Sequence, residues 1–263
     1  MKFTSAELAS FIGSFMWPLI RIGAFVGTAP IVGSAMVPNR IRVGLALLVT
    51  LVVFPLLPAA PRVEPLGADA LFVTAQQLLI GVAMGLILRL TFNALELAGQ
   101  MIGQLMGLGF AAMVDPNSGV QVPVLSQFYV IMATLLFLAF NGHLIMIKML
   151  ADSFRSLPVS THGFGPDAIS AVIQWGGQMF AGAVMVALPA AAALLLVNIA
   201  FGVMTRAAPQ LNVFAVGFPV MVLLGLLVLV MSLPDLSSQF TRLIDGSFGL
   251  MRQVAGETRV HGI

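Results

Sequence analysis

The chain contains no cysteine. Disulfides, thiolate metal sites and a cysteine nucleophile are therefore excluded. Charge is almost as scarce. Only 8% of the 263 residues are Asp, Glu, Lys or Arg, against roughly 25% in a soluble domain. That is too little to cover the surface of a soluble protein of this length. With 59% hydrophobic residues and a mean hydropathy of +1.05, the chain reads as an all-α integral membrane protein.

The small net charge of +2 comes with no cluster of Lys or Arg that could follow a phosphate backbone, so nucleic acid is not an expected partner. The three histidines, His143, His162 and His261, are scattered. No HExxH, GxSxG or P-loop is present, so no catalytic, cofactor or metal site is expected. The opening "MKFTSAELAS" does not resemble a cleaved signal, because the apolar segment after it outruns a signal core and contains Arg21.

Apolar sequence is what the chain has in abundance. Six blocks stand out: Leu8–Val32, Val43–Ala60, Ala70 to about Val114, Val122–Met149, Ala168–Thr205 and Leu211–Leu233. A helix crossing the hydrocarbon core needs ~20 residues. The third and fifth blocks are much longer than that and are expected to extend into protein. Turn-forming stretches rich in Pro and Gly separate the blocks. Pro18, Pro189 and Pro219 lie inside them and favour kinks, which at membrane depth need protein or a wet cavity to satisfy the freed backbone. The tail after Pro234 reads as an amphipathic helix with a loose end.

The third block is the most informative. Arg89, Asn93, Glu96, Gln100 and Gln104 are spaced by four, three, four and four, which places them within roughly 80° of one helix face. Beside this intramembrane polar stripe, Gly99, Gly103 and Gly107 recur every fourth residue, a pattern that admits a second backbone at close range. Gly23/Gly27 and Gly81/Gly85 are shorter instances. The stripe reads either as glue between helices or as the wet wall of a passage, and both demand tight packing around it. Beyond it, "MGLGFAAMVDP" combines flexible glycines with Met106, Phe110 and Met113. It is either a plain helix end or an apolar plug able to close a pore by excluding water. Asn141 and His143 interrupt a run with no charge between Asp115 and Lys148. They are expected to act as hydrogen-bonding groups that fix helix register.

Taken in order, "WPLIRIGAFVGTAPI" (17–31), "VPNRIRVGLA" (37–46), "QQLLIGVAMG" (76–85), "IGQLMGLGFAAMVDP" (102–116), "PVLSQF" (123–128), "LLFLAFNGHL" (135–144) and "RAAPQLNVFAVGFPV" (206–220) resemble the FliR family of type III secretion export-gate proteins over nearly the whole chain. The resemblance implies a non-enzymatic subunit with long kinked helical hairpins packed in a hetero-oligomeric helical assembly. It implies FliP and FliQ as partners, with FlhB and other export proteins nearby, and unfolded flagellar subunits as cargo. The setting implied is the bacterial inner membrane within the flagellar basal body, with lipid around part of the assembly. Residues 1–158 would form a FliP-like part and 159–263 a FliQ-like hairpin with an amphipathic tail. A plug segment would comprise Met106, Gly107, Gly109, Phe110, Ala111, Ala112 and Met113. "NGHL" would lie in a helix enclosed by partner subunits. The homologous virulence injectisome subunit is the close alternative; a secondary transporter or proton channel is a more distant one.

Overall fold

The computed structural model describes residues 5–58, 67–109, 124–160, 164–207 and 213–256. Among the described residues the regular structure is entirely helical. The elements are α1 (Ser5–Thr28), α2 (Asn39–Val53) with a 3₁₀ turn at Phe54–Leu56, α3 (Ala68–Leu105), α4 (Val124–Ala139), α5 (Gly142–Ser156), α6 (Pro166–Ala207) and α7 (Val213–Val254). The apolar blocks became helices because no other element satisfies its own backbone away from water.

Four of the described helical stretches are long and apolar enough to cross a membrane: Asn39–Leu56, Ala68–Leu105, Pro166–Ala207 and Gly217–Val254. There are five if α4 and α5, split by a short break, count as one. At 38, 42 and 42 residues, α3, α6 and α7 are about twice the length a crossing requires. Pro18, Pro189, Pro219 and Pro234 all sit inside helices that continue past them. The amphipathic tail is accordingly the second half of α7 rather than a separate helix.

The chain divides into two compact units whose boundaries fall inside α3, α4, α6 and α7. One comprises residues 1–90, 137–176 and 244–263, the other 91–136 and 177–243. In the first, Trp17 packs with Ala70 and Val73, flanked by Met16, Ile20 and Val159. Here α1 and α3 meet at Gly81 and Gly85. A Cβ at Gly81 would run into the carbonyl oxygen of Arg21, and one at Gly85 into Thr28 Oγ1. Gly23 and Gly27, the other short pair, face open space. In the second unit the buried face of α3 carries Phe92, Ala94, Leu95, Ala98 and Ile102. Phe92 meets Phe240 of α7 edge to face, with ring centroids 6.0 Å apart.

Candidate functional site

The three glycines of the ladder have three different surroundings. Gly99 is a site of close backbone approach, since a Cβ there would lie 2.7 Å from Ser126 Cα and 2.8 Å from the Leu125 carbonyl oxygen. Gly103 has ordinary room: a Cβ would sit 3.6 Å from Leu125 Cδ1. Gly107 has φ 78° and ends α3 in the left-handed conformation that glycine adopts without strain. Its amide donates to Gln104 O at 3.0 Å, and the Leu108 amide donates to Gly103 O at 3.1 Å.

Just before this cap Met106 is 1% exposed. Its side chain lies against Gly225 of α7, where a Cβ would come within 2.6 Å of Met106 Sδ and Cε. Gly109 follows two residues after the cap, and a Cβ there would approach Gln104 Oε1 to 2.8 Å. Phe110, Ala111, Ala112 and Met113 lie outside the described residues.

The polar stripe lies opposite the buried face of α3. Arg89, Gln100 and Gln104 are exposed, while Asn93 and Glu96 are half-buried. Among the described residues none of the five side chains forms a hydrogen bond or an ion pair; the single ion pair there joins Arg155 and Asp152 at 3.9 Å. A charged side chain at the centre of a transmembrane helix costs about 2.5–3.5 kcal/mol. The stripe therefore needs water or another protein surface, because the described part of this chain does not satisfy it.

Asn141 and His143 are placed at a helix break. Asn141 is exposed, with φ 56° and ψ 25°, and caps α5 through its backbone; its side chain makes no capping bond. Its carbonyl accepts from the Leu144 amide at 2.9 Å and the Ile145 amide at 3.2 Å. Asparagine tolerates this left-handed conformation better than most residues. Gly142 allows the turn to press on the Phe137 ring, where any side chain would collide. His143 is half-buried, and its Nδ1 is enclosed with no partner among the described residues. The sequence placed this stretch in a helix; the structure interrupts the helix there and restarts it.

The sequence reading passed over the most completely satisfied polar group of the chain. Arg21 is 0% exposed, and each guanidinium nitrogen donates a hydrogen bond. Nε reaches Gln77 Oε1 at 2.8 Å, Nη1 reaches Ser153 O at 2.9 Å and Oγ at 3.2 Å, and Nη2 reaches Leu157 O at 2.8 Å. The guanidinium carbon lies 4.1 Å from the Phe154 ring centroid, a cation–π geometry. Arg21 thereby ties α1 to α3 and to the C-terminal end of α5, where carbonyls carry the negative end of the helix dipole. Next to Gln77, Gln76 Oε1 accepts the Phe164 amide at 2.9 Å. A signal was present: Arg21 is the only charged residue between Glu7 and Arg40. A lone charge inside an apolar block calls for a named partner.

These features define a helical membrane protein with one buried arginine whose hydrogen bonds are met within the chain and one polar face that the described residues leave open. The family model described as bacterial export proteins, family 1, matches residues 12–247. The chain is 39% identical over 255 residues to the flagellar biosynthetic protein FliR of Pectobacterium carotovorum subsp. carotovorum, covering 97% of both chains. It is 37% identical over 257 residues to the protein of the same name in Escherichia coli strain K12, covering 98% of both. The Aquifex aeolicus strain VF5 protein of that name is 35% identical over 233 residues, covering 89% of both. The chain belongs to the bacterial export protein family 1.

Proposed function

We propose that this chain is a subunit of the flagellar type III export gate in a bacterial inner membrane, within the basal body. With FliP and FliQ it forms the conduit through which unfolded flagellar subunits leave the cell, FlhB and other export proteins lying alongside. Its role is mechanical rather than enzymatic. Residues 1–158 act as a FliP-like part and 159–263 as a FliQ-like hairpin. The residues from Met106 to Met113 form a plug on a stem that keeps the conduit shut, with Phe110 to Met113 entering on sequence alone. Asn141 and His143 fix helix register by hydrogen bonds to neighbouring helices of the assembly.

The observation that carries this reading is full-length similarity to proteins named for flagellar biosynthesis, within an export family. That naming also favours a flagellar over an injectisome setting. The open polar stripe on α3 supports it physically, because a subunit of a larger assembly can leave such a face for others to satisfy. Two measurements test the proposal. The intact complex, purified through a tag on this chain and weighed, should contain FliP and FliQ; their absence would sink the gate reading. Deleting residues 110–113 should raise ion leakage through the assembled gate, and an unchanged leak would remove the plug assignment.

A further inference from the structure

Between Arg42 and Pro58 the only side chain with a polar atom is Thr50. Its Oγ1 donates to Ala46 O at 2.6 Å, inside the same helix. This part of α2 and its 3₁₀ turn therefore carries no side chain that needs water. A narrow stripe, Ala46, Thr50 and Val53, is buried. There α2 packs on α1, and Phe54 meets Phe15 edge to face at 5.8 Å. Bulky apolar side chains occupy more than half of the remaining circumference: Val43, Leu47, Leu48, Leu51, Val52 and Leu56 are 37–71% exposed.

This partition is the reverse of what a second helix would need. Contacts between membrane helices are enriched in small residues, which let backbones approach. Here Ala46 and Thr50 are spent on the buried stripe, and the branched bulk points away. Gly44, half-buried with open space beside it, is the one small residue on the outer arc, with no second to extend it. Length agrees. Asn39–Leu56 is 18 residues, roughly 27 Å at 1.5 Å per residue, against a hydrocarbon core of about 30 Å. Only 17% of that stretch is buried, against 50% for the apolar stretch of α3.

The N-terminal end supplies charge complementarity. Arg40 is exposed, and its side chain forms no hydrogen bond or ion pair among the described residues. Arg42 instead turns back, its Nη2 donating to Ser34 O at 2.5 Å. The first turn holds no acidic residue, and no side chain caps it. Arg40 thus stands at the positive end of the helix dipole, the unfavourable end for a cation. An anion there would meet both the dipole and the guanidinium. Where an apolar helix of bilayer length ends, that anion is a lipid phosphate, which arginine binds through two parallel hydrogen bonds.

We propose that the outer face of α2 is a lipid-facing surface of the assembly, with Arg40 held at the phosphate level of one leaflet. This goes beyond the gate reading and does not depend on it. It names the element of this chain that meets the bilayer, and so sets the depth of α1 beside it.

The test uses the complete complex, purified through a tag on this chain and reconstituted in vesicles of phosphatidylcholine and phosphatidylglycerol. The chain has no cysteine. Nitroxides at Val43→Cys, Leu47→Cys, Leu48→Cys, Leu51→Cys, Val52→Cys and Leu56→Cys are therefore read against the unsubstituted complex carried through the same labelling. Collisions with oxygen, which concentrates in hydrocarbon, should exceed those with a water-soluble nickel complex several-fold. The excess should peak near Leu48 and fall toward Val43 and Leu56. Labels shielded from both reagents would mean that another subunit covers α2; labels open to nickel would mean water. Either result overturns the proposal. A variant that fails to assemble is replaced by its neighbour on the arc.

Arg40→Gln tests the headgroup contact. In native mass measurement its complex should lose a phosphatidylglycerol that the parent retains, with the accessibility at Leu48 unchanged. An undiminished lipid count overturns the role of Arg40. A complex found to lack FliP and FliQ would remove the gate reading and leave the accessibility profile to decide this one.

Discussion

Arg21 and Glu96 are both ionisable groups on long apolar helices, and the chain treats them in opposite ways. Around Arg21 the first unit supplies an amide oxygen, two carbonyls, a hydroxyl and an aromatic face. Around Glu96 the second unit supplies no hydrogen bond or ion pair among the described residues. Desolvating a charge is tolerable where geometry returns the lost hydrogen bonds. The first group is thus finished within the fold, and the second is left open by the described residues. Polar residues in a membrane sequence look alike in composition, yet this one chain contains both a structural clasp and an open face.

Breaking the clasp should have the largest effect. Arg21→Leu would leave Gln77 Oε1 and the Leu157 carbonyl without a donor, at about 1–3 kcal/mol for each group left unsatisfied, while the Ser153 carbonyl keeps the Leu157 amide. We expect a net loss of about 2–5 kcal/mol, read as a lower temperature at which membranes lose protease resistance at residues 137–160. Arg21→Lys should recover only part of it, since an ammonium cannot reproduce the planar fork. An unshifted transition would mean that the apolar core alone holds this unit.

Next comes the contrast between two neighbouring glycines. Gly99→Ala places a methyl against the Ser126 backbone and should cost about 1–3 kcal/mol. Gly103→Ala meets only ordinary contacts with Leu125 and should be neutral, or stabilising by up to ~1 kcal/mol through helix propensity. Equal losses at both positions, measured by the same proteolysis assay, would contradict the close approach at Gly99.

Glu96→Leu sharpens the comparison from the other side. Removing an unpartnered carboxylate should change the stability of the chain itself by no more than about 0.5 kcal/mol, while lowering the amount of complex recovered with its partners. Undiminished recovery would show that the stripe faces water or lipid instead of protein. The smallest effect is expected at Arg155, 67% exposed and 3.9 Å from Asp152. Arg155→Ala should change stability by less than about 0.5 kcal/mol, a baseline against which the other losses can be read.

The helical fold was legible because periodicity and sheer apolar length leave few alternatives. The overlong third and fifth blocks appear as α3 and α6, and the glycine spacing marked the face of α3 that meets α4. Spacing alone could not say which glycine makes the close approach, which has ordinary room and which caps the helix. Those outcomes depend on the path of a second backbone. The break at Asn141 was signalled by an Asn-Gly pair, but the surrounding apolar run outweighed it. Pro234 gave a stop signal that the continuous α7 ignores. Ile31, with φ 68°, gave none, because β-branched residues seldom adopt that conformation. The contact of Gly225 with Met106 was invisible because the two are remote in sequence.

From Ala168 to Thr205, α6 carries no charge, and Phe180, Met185, Leu188, Leu196, Ile199 and Val203 along it are exposed on the chain. A bilayer can host only about 17–25 of these residues, even with some tilt. The surplus greasy turns have no stable home in the newly made chain. On the gate reading proposed above, such a helix would be a target for quality-control proteases and chaperones during biogenesis until companion subunits cover it. The timing of their synthesis relative to this chain would then set how much of it survives.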